Sequence, residues 1–284
     1  MKISELLNRG YSILKEVHID SYIIDTQLLL CKALDKDKLY LIMNREVEVC
    51  KEAEMDFFRY LDIRKKKMPI KYILESCEFM GIDFYVREGV LIPRPDTEIL
   101  VEESLRLIKE NNYKSICDVC CGSGVIGLSI AKIIKNVTVL SSDISSIAKE
   151  VTEKNIEKLG VESRVKFFMG DLLEMHIKNN KKFDMVISNP PYIEKNVIET
   201  LMEDVKNYEP YIALCGGEDG LDFYKKITEQ SQKVLNKNGF IAFEIGYNQK
   251  RQVEKILKDN GFTCIRCIKD LAGLDRALIG KYSL

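Results

Sequence analysis

Apolar positions change their spacing along this chain. Over residues 1 to 75 they recur at helical intervals. Leu6, Leu7, Tyr11 and Leu14 share one face, Leu28, Leu29 and Leu30 form a second apolar segment, and Met55, Phe57, Phe58, Leu61 and Ile63 mark a helix that must end before Pro69. The pattern predicts a small helical bundle over 1–75. Residues 79–92, FMGIDFYVREGVLI, alternate like a hairpin with Arg87-Glu88-Gly89 near its turn. Residues 76–96 therefore read as hairpin and linker. A helix over 97–110 follows. From Lys114 onward short β-branched runs alternate with helical ones. Strands are predicted at 115–120, 137–142, 164–169, 183–188, 239–245, 262–268 and 276–282, with helices near 125–135, 146–158, 221–236 and 249–260. Such alternation gives an α/β fold whose parallel sheet is covered on both faces. The expected organisation is a second, α/β domain over 97–284 behind the helical one.

Composition narrows the class. The 284 residues are 46% hydrophobic and 31% charged, with a formal net charge of −1. That balance gives no support for a partner gripped through phosphates. Residues 1–75 are also balanced, with 14 Lys and Arg against 13 Asp and Glu. Lys65-Lys66-Lys67 and the run from Lys178 to Lys182 read as solvated faces. No apolar stretch reaches membrane-spanning length, and the first residues lack a signal-peptide core. Nine scattered cysteines without a secretory segment read as reduced thiols, so a cytoplasmic protein is expected. Cys117 and Cys120, like Cys264 and Cys267, have C-x-x-C spacing. Each pair lies along a predicted strand, where residues three apart point to opposite faces, so no metal site is expected.

Two loops carry candidate chemistry. SICDVCCGSGVIGLSIAKII reads as strand, tight turn and helix, and Gly122, Gly124 and Gly127 satisfy G-x-G-x-x-G. Asp143 ends the next strand, 21 residues beyond Gly122. Glycines let a backbone approach a ligand, and the carboxylate accepts from two ribose hydroxyls. Both features suit any adenosine-bearing cofactor. Asp118 within the turn would repel a pyrophosphate but suit a sulfonium or amino group; its structural alternative is a cap on the turn. Asp171, after the third strand, could read an adenine amino group. The second loop is Asn189-Pro190-Pro191-Tyr192, closing the fourth strand. Two prolines stiffen the turn and hold an amide and a backbone carbonyl in fixed positions. In a doubly wound sheet the first and fourth strands are neighbours, so both loops should face one crevice.

D-x-C-C-G-S-G followed by Asn-Pro-Pro-Tyr resembles class I, Rossmann-like methyltransferases that modify planar amide or amine nitrogens. IPRPDTEILVE at 92–102, YEPYIALCGGEDGLDFYKKI at 208–227, FEIGYNQ at 243–249 and DLAGLDRAL at 270–278 narrow the resemblance to the HemK/PrmC family. It extends over nearly the whole chain, including KYIL at 71–74 and EFMG at 78–81. The resemblance implies transfer of a methyl group from S-adenosylmethionine, leaving S-adenosylhomocysteine, to the glutamine N5 of the Gly-Gly-Gln motif in peptide chain release factors. Pro95, Asp96 and Thr97 favour release factors over the ribosomal-protein relative. It implies cofactor contacts from Asp118, Cys120, Cys121, Gly122, Ser123, Gly124, Asp143, Asp171, Leu172 and Asn189. Substrate contacts fall to Asn189, Pro190, Pro191 and Tyr192, with the Asn189 oxygen and Pro190 carbonyl accepting the amide hydrogens and Tyr192 packing on the flat amide. The helical domain would dock the protein partner, and a monomer without direct nucleic-acid contact is expected. One departure stands out: the family often has glycine where this chain has Cys120, and a positive φ there would strain a cysteine. His18 and His176 read as incidental. The rival readings are a DNA adenine N6-methyltransferase or other nucleic-acid amino-methyltransferase, against which stand the balanced charge and the lack of a basic recognition domain, a nicotinamide dehydrogenase, which leaves the Asn-Pro-Pro-Tyr turn unexplained, and a non-catalytic adaptor.

Overall fold

A computed structural model describes residues 1–283. They form two compact units: residues 1–76 with 202–208, and residues 77–201 with 209 onward. The first unit contains α1 (Ile3–Glu16), α2 (Tyr22–Leu34), α3 (Lys38–Met43), α4 (Lys51–Lys65) and α5 (Ile70–Leu74). Leu6, Leu14, Leu29, Leu30, Phe57 and Leu61 are fully buried and supply its core. Met55, expected on the apolar face of α4, is 71% exposed. Gly10 lets α1 and α2 approach, since a Cβ there would lie 2.5 Å from Thr26 Cγ2. The buried polar element is an ion pair: Arg64 Nε donates to Asp25 Oδ2 at 2.7 Å, and Ser21 Oγ donates to the same oxygen.

The second unit opens with β1 (Cys77–Phe79) and β2 (Ile82–Phe84). The hairpin is therefore earlier and shorter than the alternation suggested. Its turn is Met80-Gly81, both at positive φ, the requirement of a tight two-residue hairpin. Among the described residues, 85–92 form no strand. Instead the Asn155 side chain serves Tyr85 as a neighbouring strand would, accepting from its N–H at 2.7 Å and donating to its carbonyl at 2.9 Å. Tyr85 and Val90 bury against Ala148 and Val151, so the apolar alternation is real but faces a helix.

The rest of the chain follows in order: α6 (Glu98–Asn111), β3 (Ser115–Val119), α7 (Val125–Ile133), β4 (Thr138–Asp143), α8 (Ser146–Leu159), β5 (Val165–Met169), α9 (Glu174–Lys178), β6 (Phe183–Ser188), α10 (Glu203–Tyr208), α11 (Tyr211–Leu214), α12 (Asp222–Val234), β7 (Leu235–Glu244), α13 (Lys250–Asp259), β8 (Phe262–Lys269) and β9 (Asp275–Tyr282). Seven strands make one sheet, ordered β5-β4-β3-β6-β7-β9-β8, parallel except for β9. The fold is the expected Rossmann-like α/β one. β7 starts four residues before its predicted start because Asn236-Lys237-Asn238-Gly239, turn-like in composition, sits inside a bulge opposite Phe183 and Met185. β6 is apolar on both faces, as a central parallel strand must be. Among the described residues no helix is long and apolar enough to cross a membrane.

Removing one partner of a buried ion pair leaves the other charge uncompensated. Asp25→Ala is expected to destabilise the helical unit by about 3–5 kcal/mol. Denaturant unfolding followed by helical circular dichroism checks this; a change within about 0.5 kcal/mol, the range of an ordinary surface substitution, would contradict it.

Candidate active site

β3 pairs with β4 on one side and β6 on the other. The chain leaves β3, builds outward through β4 and β5, then returns to β6, so crevices open at the carboxyl ends of these strands. A cleft of about 280 Å³ occupies that place. Of the sequence-predicted residues, Cys120, Gly122, Asp143, Asp171, Leu172, Asn189 and Pro191 line it. A smaller recess of about 40 Å³ shares Cys120, Gly122 and Asn189 with the cleft and adds Cys121, Ser123, Arg94 and Thr97. Asp118, Gly124, Pro190 and Tyr192 line neither.

The glycine loop is built by backbone constraint. Cys120, Gly122 and Gly124 all have positive φ, at 57°, 54° and 79°. A Cβ on Gly122 would meet nothing within 4 Å, which leaves its backbone open to a ligand. Gly127 serves packing: a Cβ there would stand 2.8 Å from Val139 and 2.9 Å from Asp118 Oδ2. Cys120 holds the left-handed conformation that disfavours a side chain, so the departure from glycine does carry strain.

The two aspartates do different things. Asp143 Oδ2 accepts from Gly122 N and Oδ1 from Ser145 N, both at 2.9 Å. Each oxygen keeps a lone pair, and the group lines the cleft. Burial pushes its pKa up, against backbone hydrogen bonds from Ser145, Gly122 and Ile144. Asp118 is fully buried beneath α7, where Oδ2 accepts the Gly127 N–H at 2.9 Å. It caps the helix, the structural alternative, and does not reach the cleft. Burial pushes its pKa up to about 7, partly offset by the Gly127 bond.

The Asn189–Tyr192 turn is braced from behind by residues the sequence reading did not assign. Tyr192 does not offer its ring to the cleft; its hydroxyl donates to Glu244 Oε1 at 3.2 Å. Gln249 donates to the Tyr192 carbonyl at 2.9 Å and the Gly220 carbonyl at 3.3 Å, and accepts from Gly246 N and the Tyr224 hydroxyl. Gly216 and Gly220 allow the close fit: a Cβ on Gly216 would lie 2.7 Å from Tyr192 Cα, and one on Gly220 2.4 Å from the Tyr192 carbonyl. Ile193 also pairs with Cys215 in a parallel bridge. The signals for these partners were the C-G-G-E-D-G and F-E-I-G-Y-N-Q motifs, which showed resemblance but no chemistry. His176 is buried between Phe168 and Phe183 with its pKa lowered by burial to about 4, and His18 is exposed.

Residues 5–74 match the PrmC N-terminal domain and residues 96–207 the methyltransferase small domain. The chain is 55% identical over 279 residues to the release factor glutamine methyltransferase of Clostridium acetobutylicum, covering 98% of both chains. The chain belongs to the release factor glutamine methyltransferase family. The Clostridium botulinum member is 54% identical, again over 98% of both chains. The fold alone extends further: the Thermus thermophilus 16S rRNA N2 G1207 methyltransferase RsmC, solved with AdoMet and guanosine, superposes with a TM-score of 0.52 at 14% identity, over 72% of this chain and 49% of that one.

Two outcomes follow from the loop. Asp118 holds a proton between about pH 4 and pH 7 that its unfolded counterpart has lost, so its contribution to stability falls as pH rises through that window. Asp118→Asn keeps an acceptor for Gly127 and removes the charge, so its Tm relative to wild type should rise from pH 5 to pH 8; a constant difference would contradict this. Cys120→Gly should raise the unfolding free energy by up to about 1 kcal/mol, seen as a higher urea midpoint, because relief of left-handed strain exceeds the added chain entropy.

Proposed function

We propose that the cleft holds S-adenosylmethionine and that the acceptor is the side-chain amide of the glutamine in the Gly-Gly-Gln motif of peptide chain release factors. The observation that carries this reading is that Asn189 and Pro191 of the Asn-Pro-Pro-Tyr turn line the same cleft as Cys120 and Gly122 of the glycine loop. Family membership makes the chain a protein-glutamine methyltransferase, and the release-factor substrate comes from the names of its near full-length relatives.

The cleft's own chemistry supports the cofactor. Asp143 has lone pairs for two ribose hydroxyls, and Gly122 presents bare backbone. Asp171 and Leu172 would flank the base. The N–H groups of Gly122 and Gly127 are already occupied by carboxylates, which makes this a poor cradle for a pyrophosphate and disfavours a nicotinamide dinucleotide. When bound, S-adenosylmethionine supplies an electrophilic methyl group on a cationic sulfur and leaves as S-adenosylhomocysteine.

The chain's task is to make an amide nitrogen react although its lone pair is delocalised into the carbonyl. Asn189 Oδ1 and the Pro190 carbonyl are assigned to the two amide hydrogens. Fixed acceptors favour a nitrogen that becomes pyramidal and positive more than they favour the flat ground state. Pro191 bounds the cleft, and Tyr192 acts from behind, holding the turn through Glu244 and Gln249. Orientation of this kind can supply about 7–11 kcal/mol. No side-chain base is required, because the methylated nitrogen is acidic enough to lose its proton to water. The helical unit is assigned to docking the release factor. The chain is read as a monomer acting on protein without direct nucleic-acid contact, in the cytoplasm.

Labelled S-adenosylmethionine should transfer its methyl group to a release factor and not to one whose Gly-Gly-Gln glutamine is alanine; transfer to DNA or RNA alone would overturn the substrate. Asn189→Ala should lower kcat about 10²-fold while cofactor affinity stays within about threefold. Asp143→Ala should instead weaken cofactor affinity about 10- to 100-fold, read by calorimetry with S-adenosylhomocysteine.

A further inference from the structure

Behind Asn189 runs a buried chain of hydrogen bonds that ends on a carboxylate. Glu244, the last residue of β7, is 1% exposed, and Thr97, just ahead of α6, is 2% exposed. Thr97 Oγ1 donates to Glu244 Oε2 at 2.6 Å, and the Tyr192 hydroxyl donates to Oε1. Asn189 Nδ2 donates in turn to Thr97 Oγ1 at 3.4 Å.

The direction of this chain is dictated from its far end. Glu244 accepts a hydroxyl proton on each oxygen, from Thr97 on Oε2 and from Tyr192 on Oε1. Thr97 therefore gives its single proton to Glu244 and has only lone pairs left for Asn189. Of the two ends of the Asn189 amide, only the nitrogen can answer a lone pair. The oxygen must then point the other way. This matters because the two ends of an amide have nearly the same shape, so packing alone does not choose between them. A reversed Asn189 would meet the substrate nitrogen donor to donor. Burial raises the Glu244 pKa, Asp96 adds to that rise, and the Thr97 and Tyr192 hydroxyls and Arg276 pull it back. Arg276 is itself held by Asp96 and Asp270.

We propose that Glu244, acting through Thr97, is a positioning device that fixes which end of the Asn189 side-chain amide faces the glutamine substrate. The proposal rests on the assignment of Asn189 as the acceptor for the substrate amide. Neither Glu244 nor Thr97 is placed in contact with the reacting atoms; both act through Asn189.

The test compares Thr97→Val, which keeps shape and removes the hydroxyl, with Thr97→Ser, which keeps the hydroxyl. Thr97→Val should lower kcat for release-factor methylation about 10²-fold, with KM and S-adenosylhomocysteine affinity within about threefold of wild type, while Thr97→Ser retains most of the activity. A second comparison reverses the relay. Asn189→Asp alone leaves two carboxylates competing for one Thr97 proton. Adding Glu244→Gln supplies Thr97 with a donor and frees its proton for the new carboxylate at 189, so the double variant should exceed Asn189→Asp in kcat by at least about threefold. Wild-type kcat in Thr97→Val overturns the proposal. So does an equal fall in both Thr97 variants accompanied by lost cofactor affinity, and so does a double variant no better than Asn189→Asp. Failure of the wild-type protein to methylate the release factor would strike the functional reading instead, which the same assay shows separately.

Discussion

The parallel pairing of β3 with β6 is the constraint on which the site depends. Its register sets Val119 opposite Ser188, and Ser188 Oγ donates to the Val119 carbonyl at 2.6 Å. The next residue on one strand is Cys120, which begins the glycine loop. The next on the other is Asn189, which begins the proline turn. A slip of one residue would turn every side chain of β6 to the opposite face and separate the two loops along the strand axis. The apolar run of β6 resists this, because Phe183, Met185, Val186 and Ile187 are all buried and have no solvent face to exchange. Burying each is worth about 1.5–3 kcal/mol, so core packing holds β6 in the middle of the sheet.

Three acidic side chains around that junction show how environment divides one functional group among three tasks. Asp118 lies under α7 and satisfies a helix N–H. Asp143 is anchored by two backbone donors but keeps its outer lone pairs toward the cleft. Glu244 faces away from the cleft and collects hydroxyl protons from Thr97 and Tyr192. Burial raises the pKa of all three, and hydrogen-bond donors oppose the shift at each. The consequence for function lies in the donors consumed. With the Gly122 and Gly127 N–H groups bound to carboxylates, two of the loop's donors are spent before an anion could use them, although its glycine spacing is that of dinucleotide-binding proteins.

Local constraints were legible in the sequence, and long-range polar partnerships were not. Glycine and proline act on their own backbone, so the loop at Gly122 and the turn at Pro190 and Pro191 could be read directly, and strand-helix alternation gave the sheet. The place of Asp118 was also within reach. Period two puts it on the same face as Ile116, beneath α7. The hairpin failed for a related reason: alternation reports a buried face without saying whether a strand or a helix covers it, and here α8 and Asn155 do. Glu244, Thr97 and Gln249 left no local trace. Thr97 and Glu244 are 147 residues apart, and Tyr192 and Gln249 are 57 apart, so only folding brings them together.

The brace behind the turn explains why so rigid a motif still needs support. Proline fixes φ at Pro190 and Pro191 but removes their N–H groups, so the turn cannot anchor itself through its own backbone donors. The anchoring must come from neighbours. Gln249 supplies two donors to carbonyls on either side and has both faces of its amide engaged, leaving no freedom to flip. Gly216 and Gly220 supply the space, since any Cβ would strike the backbone at Tyr192. A larger residue at either glycine would displace the turn, and at the orientation-dependent site proposed here a shift of about 1 Å would cost about 10²-fold in rate. The three segments, 189–192, 216–220 and 244–249, thus form one mechanical unit in which only the first touches the cleft with its predicted site residues. The chemistry is assigned to Asn189 and Pro190, but the precision with which they can act is set by residues that face the other way.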